Sequence, residues 1–172
     1  ARRFAREGTR RAHVQSASGL LYTDIRIPAL DYTDLIMLTR NITRDHRECK
    51  AMFTLAVFNV LAHNRDDHAR QFSFIMKHDG VWRMAPAYDL TWSLGPGGEH
   101  SSSVLGFGKD ITRDPLNNLG KTAEMQEPDI IKVIENTQAA ISKWEIFASQ
   151  NEKDSKTTYN NPVAHAIGNG VS

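Results

Sequence analysis

The chain reads as a mainly α protein with one small β-hairpin, an α+β domain. Three observations predict this. Apolar residues recur at helical spacing across residues 31–62 and again across 112–147. Two β-forming runs too short for helices, Phe72–Met76 and Val81–Met84, flank the turn Lys77-His78-Asp79-Gly80. The length of 172 residues, with 40% hydrophobic and 24% charged side chains, suits one globular domain with a sizeable core.

The elements follow in order. Residues 1–27 are broken by Gly8 and Gly19, with strand pieces around Ala12–Gln15. The opening Ala1-Arg2-Arg3-Phe4-Ala5-Arg6 lacks an initiator Met and reads as the middle of a longer protein. Pro28 and Asp31 punctuate the start of a helix, where Asp31 or Thr33 accepts from free first-turn amides. Leu35, Ile36 and Leu38, with Met37 beside them, form its buried side. Thr43-Arg44-Asp45-His46 opens a longer helix running to about Ala62, with Thr43 as its cap. Its apolar positions, Met52, Leu55, Ala56, Phe58, Val60 and Leu61, cover most of the circumference, as in a central helix.

Beyond the hairpin, Gly95-Pro96-Gly97-Gly98 and Ser101-Ser102-Ser103 predict a loop. It is either a plain connection or a mobile segment beside an acceptor site. Thr112-Arg113-Asp114-Pro115 starts a helix through Leu116 and Leu119. Pro128 begins the last helix, which carries Ile130, Ile131, Val133, Ile134, Ile141, Trp144 and Phe147. From Ser149 apolar density falls, and 149–172 reads as a flexible tail. No internal repeat is visible.

Charge narrows the function classes. The net charge is +1, from 21 basic and 20 acidic side chains, so no overall attraction to nucleic acid or membrane is implied. The one local basic patch is Arg2, Arg3, Arg6, Arg10 and Arg11, a composition more often a solvated or lobe-facing surface than a DNA-binding edge. The single cysteine, Cys49, rules out an internal disulfide and reads as a buried thiol rather than a nucleophile. No run approaches the roughly 20 apolar residues of a membrane span, and no apolar signal core follows the basic start. The expectation is a cytoplasmic protein with no membrane partner.

The chemistry gathers in three acids. Asp66 and Asp67 lie in a loop directly after the central helix, which can hold a carboxylate rigidly toward a cleft. Within hydrogen-bond reach of a serine or threonine hydroxyl, such a carboxylate can orient that hydroxyl and take its proton. Asp89 follows the hairpin, and its hard oxygens suit Mg²⁺. His68 can brace the loop, and Arg65 and Arg70 can counter nearby charge. Against this, Asp-rich loops are often only turn chemistry. Zinc at His63 or His68 lacks a further His or Cys pair at ligand spacing. His13, His100 and His165 read as solvent-facing or loop residues, and Ser101–Ser103 lack a nucleophile elbow. The order of helix, carboxylate loop, hairpin and acid is nevertheless that of a phosphoryl-transfer lobe.

Asp66-Asp67-His68-Ala69-Arg70-Gln71-Phe72-Ser73, followed by Trp82-Arg83-Met84-Ala85-Pro86-Ala87-Tyr88-Asp89-Leu90, closely resembles the carboxy-terminal lobe of HipA-type toxin kinases. Arg2–Arg6 is similar to the segment linking their two lobes, and Gly95–His100 and Gly106–Asp114 are similar to stretches further downstream. The resemblance implies a protein-kinase-like C-lobe whose amino-terminal lobe is absent. Residues 1–27 would be hinge and lobe start, and 28–148 the helical lobe. It implies transfer of phosphate from Mg-ATP to a protein serine, with an aminoacyl-tRNA synthetase as substrate. The partner it implies is a HipB-like helix-turn-helix antitoxin, with operator DNA met only through that complex.

By position, Asp66 matches the catalytic base and Asp89 the Mg²⁺-binding acid. Gln71 falls at the second metal ligand, and Arg3, Phe4, His68, Arg70, Gln71, Tyr88 and Asp89 fall around ATP. Three features depart from the family: Gln71 stands where Asn is usual, Ala5 where Asp is usual, and no strand lysine or phosphate-covering loop is present. They favour weak or no activity for this chain alone. They also keep open a non-catalytic module that docks an antitoxin or a separate N-lobe.

Overall fold

A computed structural model of the chain describes residues 4–7, 10–22 and 30–144. The expectations for Arg2, Arg3, Pro28, Phe147, His165 and the tail 149–172 lie outside these residues. In chain order the elements are β1 (Arg6–Glu7), β2 (Arg10–Arg11), β3 (His13–Ser16), α1 (Ala17–Leu21), β4 (Leu30–Asp31), α2 (Tyr32–Thr43) and α3 (His46–Leu61). Then follow a 3-10 turn (Ala69–Gln71), β5 (Ser73–Met76), β6 (Trp82–Met84), a second 3-10 turn (Pro96–Gly98), β7 (Ser102–Ser103), α4 (Arg113–Thr122) and α5 (Glu127–Ser142). The architecture is mixed α+β, with small sheets beside a helical core.

Helix α2 starts where the sequence predicts. Asp31 accepts from Thr33 N at 2.9 Å, and Asp34 accepts from Asp31 N at 3.2 Å, forming a reciprocal capping box. Its buried face is Leu35 and Ile36, with Leu38 partly covered; Met37 points outward and is 53% exposed. Capping of the next helix differs from the expectation. Asp45, not Thr43, accepts from Arg47 N. The Thr43 hydroxyl instead donates to Thr39 O at 2.7 Å, because α2 runs on to Thr43 and ends at a left-handed Arg44.

Helix α3 is the centre of the molecule. Cys49, Met52, Phe53, Ala56, Val57 and Val60 are buried in one core with Leu35 and Ile36 of α2, Leu116 and Leu119 of α4, and Ile130 and Ile134 of α5. Leu55 and Leu61 pack against that core from its edge. Burial pushes the Cys49 thiol pKa up, as expected of an inert thiol. On α5, Ile130, Ile134 and Ile141 are buried, whereas Trp144 is 53% exposed.

The hairpin forms as predicted, β5 pairing antiparallel with β6 (Phe74 opposite Met84), and Lys77 N bonds across the turn to Val81 O. A third strand, β3, completes it on the other edge, with Val14 opposite Ile75. The start of α3 fastens the hairpin: Arg83 Nη1 donates to Asp45 at 2.8 Å, and Met84 N donates to Glu48 at 3.1 Å. The Arg47 hydrogen bonds, with that of Arg83 added, hold the Asp45 carboxyl well below the usual range. This lattice ties the hairpin that follows the acid loop to the start of the helix that precedes it.

Candidate functional site

The two neighbouring loop acids do different work. Asp67 is fully buried, with 0% exposure. Its Oδ2 accepts from Tyr32 Oη at 2.7 Å and His100 Nδ1 at 2.9 Å. Its Oδ1 accepts from Ser101 N at 2.8 Å and Ser102 N at 3.1 Å, and Ser102 Oγ donates to the Asp67 carbonyl. Tyr32 in turn accepts from Asn59 Nδ2 at 2.8 Å, and Asn64 donates to Asn59 at 3.0 Å. A carboxylate with four donors has no lone pair to spare for an acceptor hydroxyl. Burial, and then the adjacent Asp67 charge, push the Tyr32 pKa well above its ordinary value. Asp67 is the peg that fixes the loop to α2, α3 and residues 100–102.

That pegging corrects two expectations. His100 is buried, not solvent-facing. Ser101–Ser103 is not a loose connection: Ser102 and Ser103 form β7, parallel to β4. Gly95–Gly98 is a loop as expected, its one short turn at Pro96–Gly98 interrupted by Gly97 at φ of 65°. The signal that was missed is Asn59, an amide inside the apolar run of α3 and 2% exposed. A buried amide must have partners, and here they lead to Asp67.

Asp66 faces the other way and is exposed. His68 Nδ1 accepts from Arg70 N at 3.3 Å, so its Nε2 carries the proton and lies 3.8 Å from Asp66 Oδ1. His63, just upstream, accepts from Arg65 Nη2 through Nδ1 at 3.1 Å. Burial lowers the His63 pKa, and the neighbouring Arg65 charge lowers it further. His63 therefore serves Arg65 rather than a metal.

The loop meets Asp89 through its last turn. Gln71 Nε2 donates to Asp89 Oδ2 at 2.5 Å. Tyr88 Oη donates to Arg70 O at 2.5 Å and accepts from Ser73 Oγ at 2.7 Å. Asp89 itself has φ of 55°, the left-handed region that non-glycine residues adopt rarely and often at functional sites. Phe4 stacks obliquely on Tyr88, ring centres 5.6 Å apart. The structure thus brings Phe4, Arg70, Gln71, Tyr88 and Asp89 together, and His68 links Asp66 to the same turn. Arg3 lies outside the described residues.

Exposed carboxylates of Asp66 and Asp89 supply hard oxygens of the kind Mg²⁺ takes when substrate phosphates and water complete its shell. Among the described residues no group of three or more His, Cys, Asp or Glu side chains is gathered to hold a metal. Asp89 fits such a cation. Gln71 presents it with a nitrogen.

No curated protein sequence matches the chain. Among solved structures it is similar to a chain of the complex described as the Shewanella oneidensis MR-1 toxin–antitoxin system HipA, HipB and its operator DNA, with a TM-score of 0.69 at 16% identity. The match covers 97% of this chain and 44% of that one, so this chain spans under half the length of the solved chain it resembles. The fold is therefore that of HipA over the shared region. The family model of the HipA-like C-terminal domain matches residues 1–144, and the chain belongs to that family.

Proposed function

We propose that this chain is the kinase-like C-lobe of a HipA-type toxin, whose chemistry is transfer of the γ-phosphate of Mg-ATP to a serine hydroxyl of a protein. The observation that carries the reading is the joining of the acid loop to the second acid. Gln71 and Tyr88 tie residues 70–73 to the turn holding Asp89, while the neighbouring Asp66 is left exposed. Asp66 accepts the proton of the attacking hydroxyl, with His68 Nε2–H lying 3.8 Å from it. Asp67 keeps the loop in place from below. Asp89 would hold Mg²⁺, which offsets phosphate charge when bound. Phe4 and Tyr88 offer an aromatic wall for the nucleotide base, and Arg70 a cation for its phosphates.

The substrate that this reading carries is an aminoacyl-tRNA synthetase, and the restraining partner a HipB-like antitoxin that alone touches operator DNA. The whole HipA match is to a complex with HipB and DNA, which supports the choice of partner. A second reading, a non-catalytic docking module, is favoured by the Gln71 nitrogen on Asp89. Calorimetry with Mg-ATP separates them. Catalytic ancestry predicts nucleotide binding that requires Mg²⁺, is abolished in Asp89→Asn, and persists in Asp66→Asn while any phosphate transfer is lost. Antitoxin capture with no Mg-ATP binding in any form of the chain would favour the module.

A further inference from the structure

We propose that Gln71 acts on Asp89 as a hydrogen-bond donor that competes with the cation for the carboxylate, a positioning residue and not a metal ligand. The inference rests on the reading of Asp89 as the cation-binding acid. Nε2 of Gln71 stands 2.5 Å from Asp89 Oδ2. Turning the amide over would set its oxygen against a carboxylate oxygen, lone pair to lone pair, so the nitrogen is the atom this contact admits. Both ends are fixed by backbone. Gln71 closes the turn begun at Ala69, its own N–H bonded to His68 O at 2.8 Å. Asp89 sits on its left-handed residue beside Tyr88, whose hydroxyl is held by Arg70 and Ser73.

Length decides the rest. The side chain of Asn is shorter by one methylene, roughly 1 Å of reach, and from the same turn its amide would stop short of Oδ2. Gln closes that gap and occupies the oxygen. Mg²⁺ and Mn²⁺ sites of this kind are built from oxygen donors, and an amide nitrogen cannot join them. A cation that binds through Oδ2 must therefore displace Gln71, and one that binds through Oδ1 meets a carboxylate whose charge is already shared with the amide. A charge-assisted bond at this exposed site corresponds to a competition of about three- to ten-fold in affinity.

The test titrates Mn²⁺ alone into the full chain, with free ion read by electron paramagnetic resonance. Gln71→Ala and Gln71→Met both lack the donor and should bind Mn²⁺ about three- to ten-fold more tightly than the unsubstituted chain. Asp89→Asn should remove that binding. Weaker or unchanged binding in the Gln71 variants, with dependence on Asp89 intact, overturns the inference and leaves the kinase reading standing. Binding that is absent throughout, or indifferent to Asp89→Asn, overturns the cation site and this inference with it. Methionine keeps the length and volume of glutamine, so Gln71→Met carries the test if the alanine variant fails to melt cooperatively.

Discussion

Asp67 receives Tyr32, His100 and two backbone amides in a site closed to water. Its loss strands all four donors, and a buried donor without a partner costs about 1–3 kcal/mol. Asp67→Ala should therefore lower stability by about 3–5 kcal/mol, as expected when one partner of a buried charged network is deleted, read as a fall in the chemical denaturation midpoint. Tyr32→Phe removes a single hydroxyl from the same network and should cost about 1–2 kcal/mol. Asp66→Asn, at an exposed side chain, should leave the midpoint within about 0.5 kcal/mol. At this scale the sequence singled out the loop acids but not which of them is buried and which exposed. Adjacent identical residues carry no sign of which one turns inward. Only Asn59 and Tyr32, polar groups lodged in apolar surroundings, point to the buried one.

Among the elements, the start of α2 is bonded well beyond its own first turn. Asp31 caps Thr33 and also accepts from Ser103 Oγ at 2.6 Å and Gly106 N at 2.8 Å, joining the helix to the segment after β7. Burial alone would raise its pKa, but the Ser103, Thr33 and Gly106 donors outweigh it and hold the carboxyl below its ordinary 3.8. A depressed folded value stabilises the protein above the unfolded value and loses that contribution as pH falls through the folded one. Asparagine caps a helix as well as aspartate, so what Asp31→Asn loses is the charge on the bonds to Ser103 and Gly106, and it should be less stable at neutral pH by about 1 kcal/mol. The gap should narrow steadily in thermal melts taken below pH 3.8.

The contact of α4 with α5 turns on Gly120, where an added Cβ would meet Ile130 Cγ1 at 2.6 Å and Ile130 Cγ2 at 2.9 Å. Helix propensity would favour alanine by about 1 kcal/mol, but overpacking costs about 1–3 kcal/mol. Gly120→Ala should destabilise, and its cost in the denaturation midpoint should be smaller in an Ile130→Ala background, where Cγ1 and Cγ2 are gone. Helix positions were legible from periodicity and cap residues, which act within a few positions of one another. The cap of α3 was misplaced because Thr43 spends its hydroxyl on the preceding helix. Strand β3 was legible only as an isolated piece, because its partner β5 lies some 60 residues on in the numbering and no local pattern records the pairing.

For the whole molecule, one core centred on α3 supports both the helical layer and the acid loop. Phe53→Ala at its middle should cost about 3–5 kcal/mol and melt hairpin, loop and helices together, seen as coincident transitions by fluorescence and far-ultraviolet circular dichroism. Family membership was legible from the run Asp66–Ser73 with Trp82–Leu90, since those residues are local in sequence. The reach of Gln71 to Asp89 was not, because it depends on where two loops come to rest.

The back-to-back orientation of residues 66 and 67 has a consequence for genetics. On the proposed kinase reading, a random library scored only by growth would recover changes at either codon as the same kind of hit. Measuring soluble yield in parallel would split them: position 67 should deplete the protein, while position 66 should leave it abundant and silent. A survey blind to abundance would mistake a hidden strut for a reactive group.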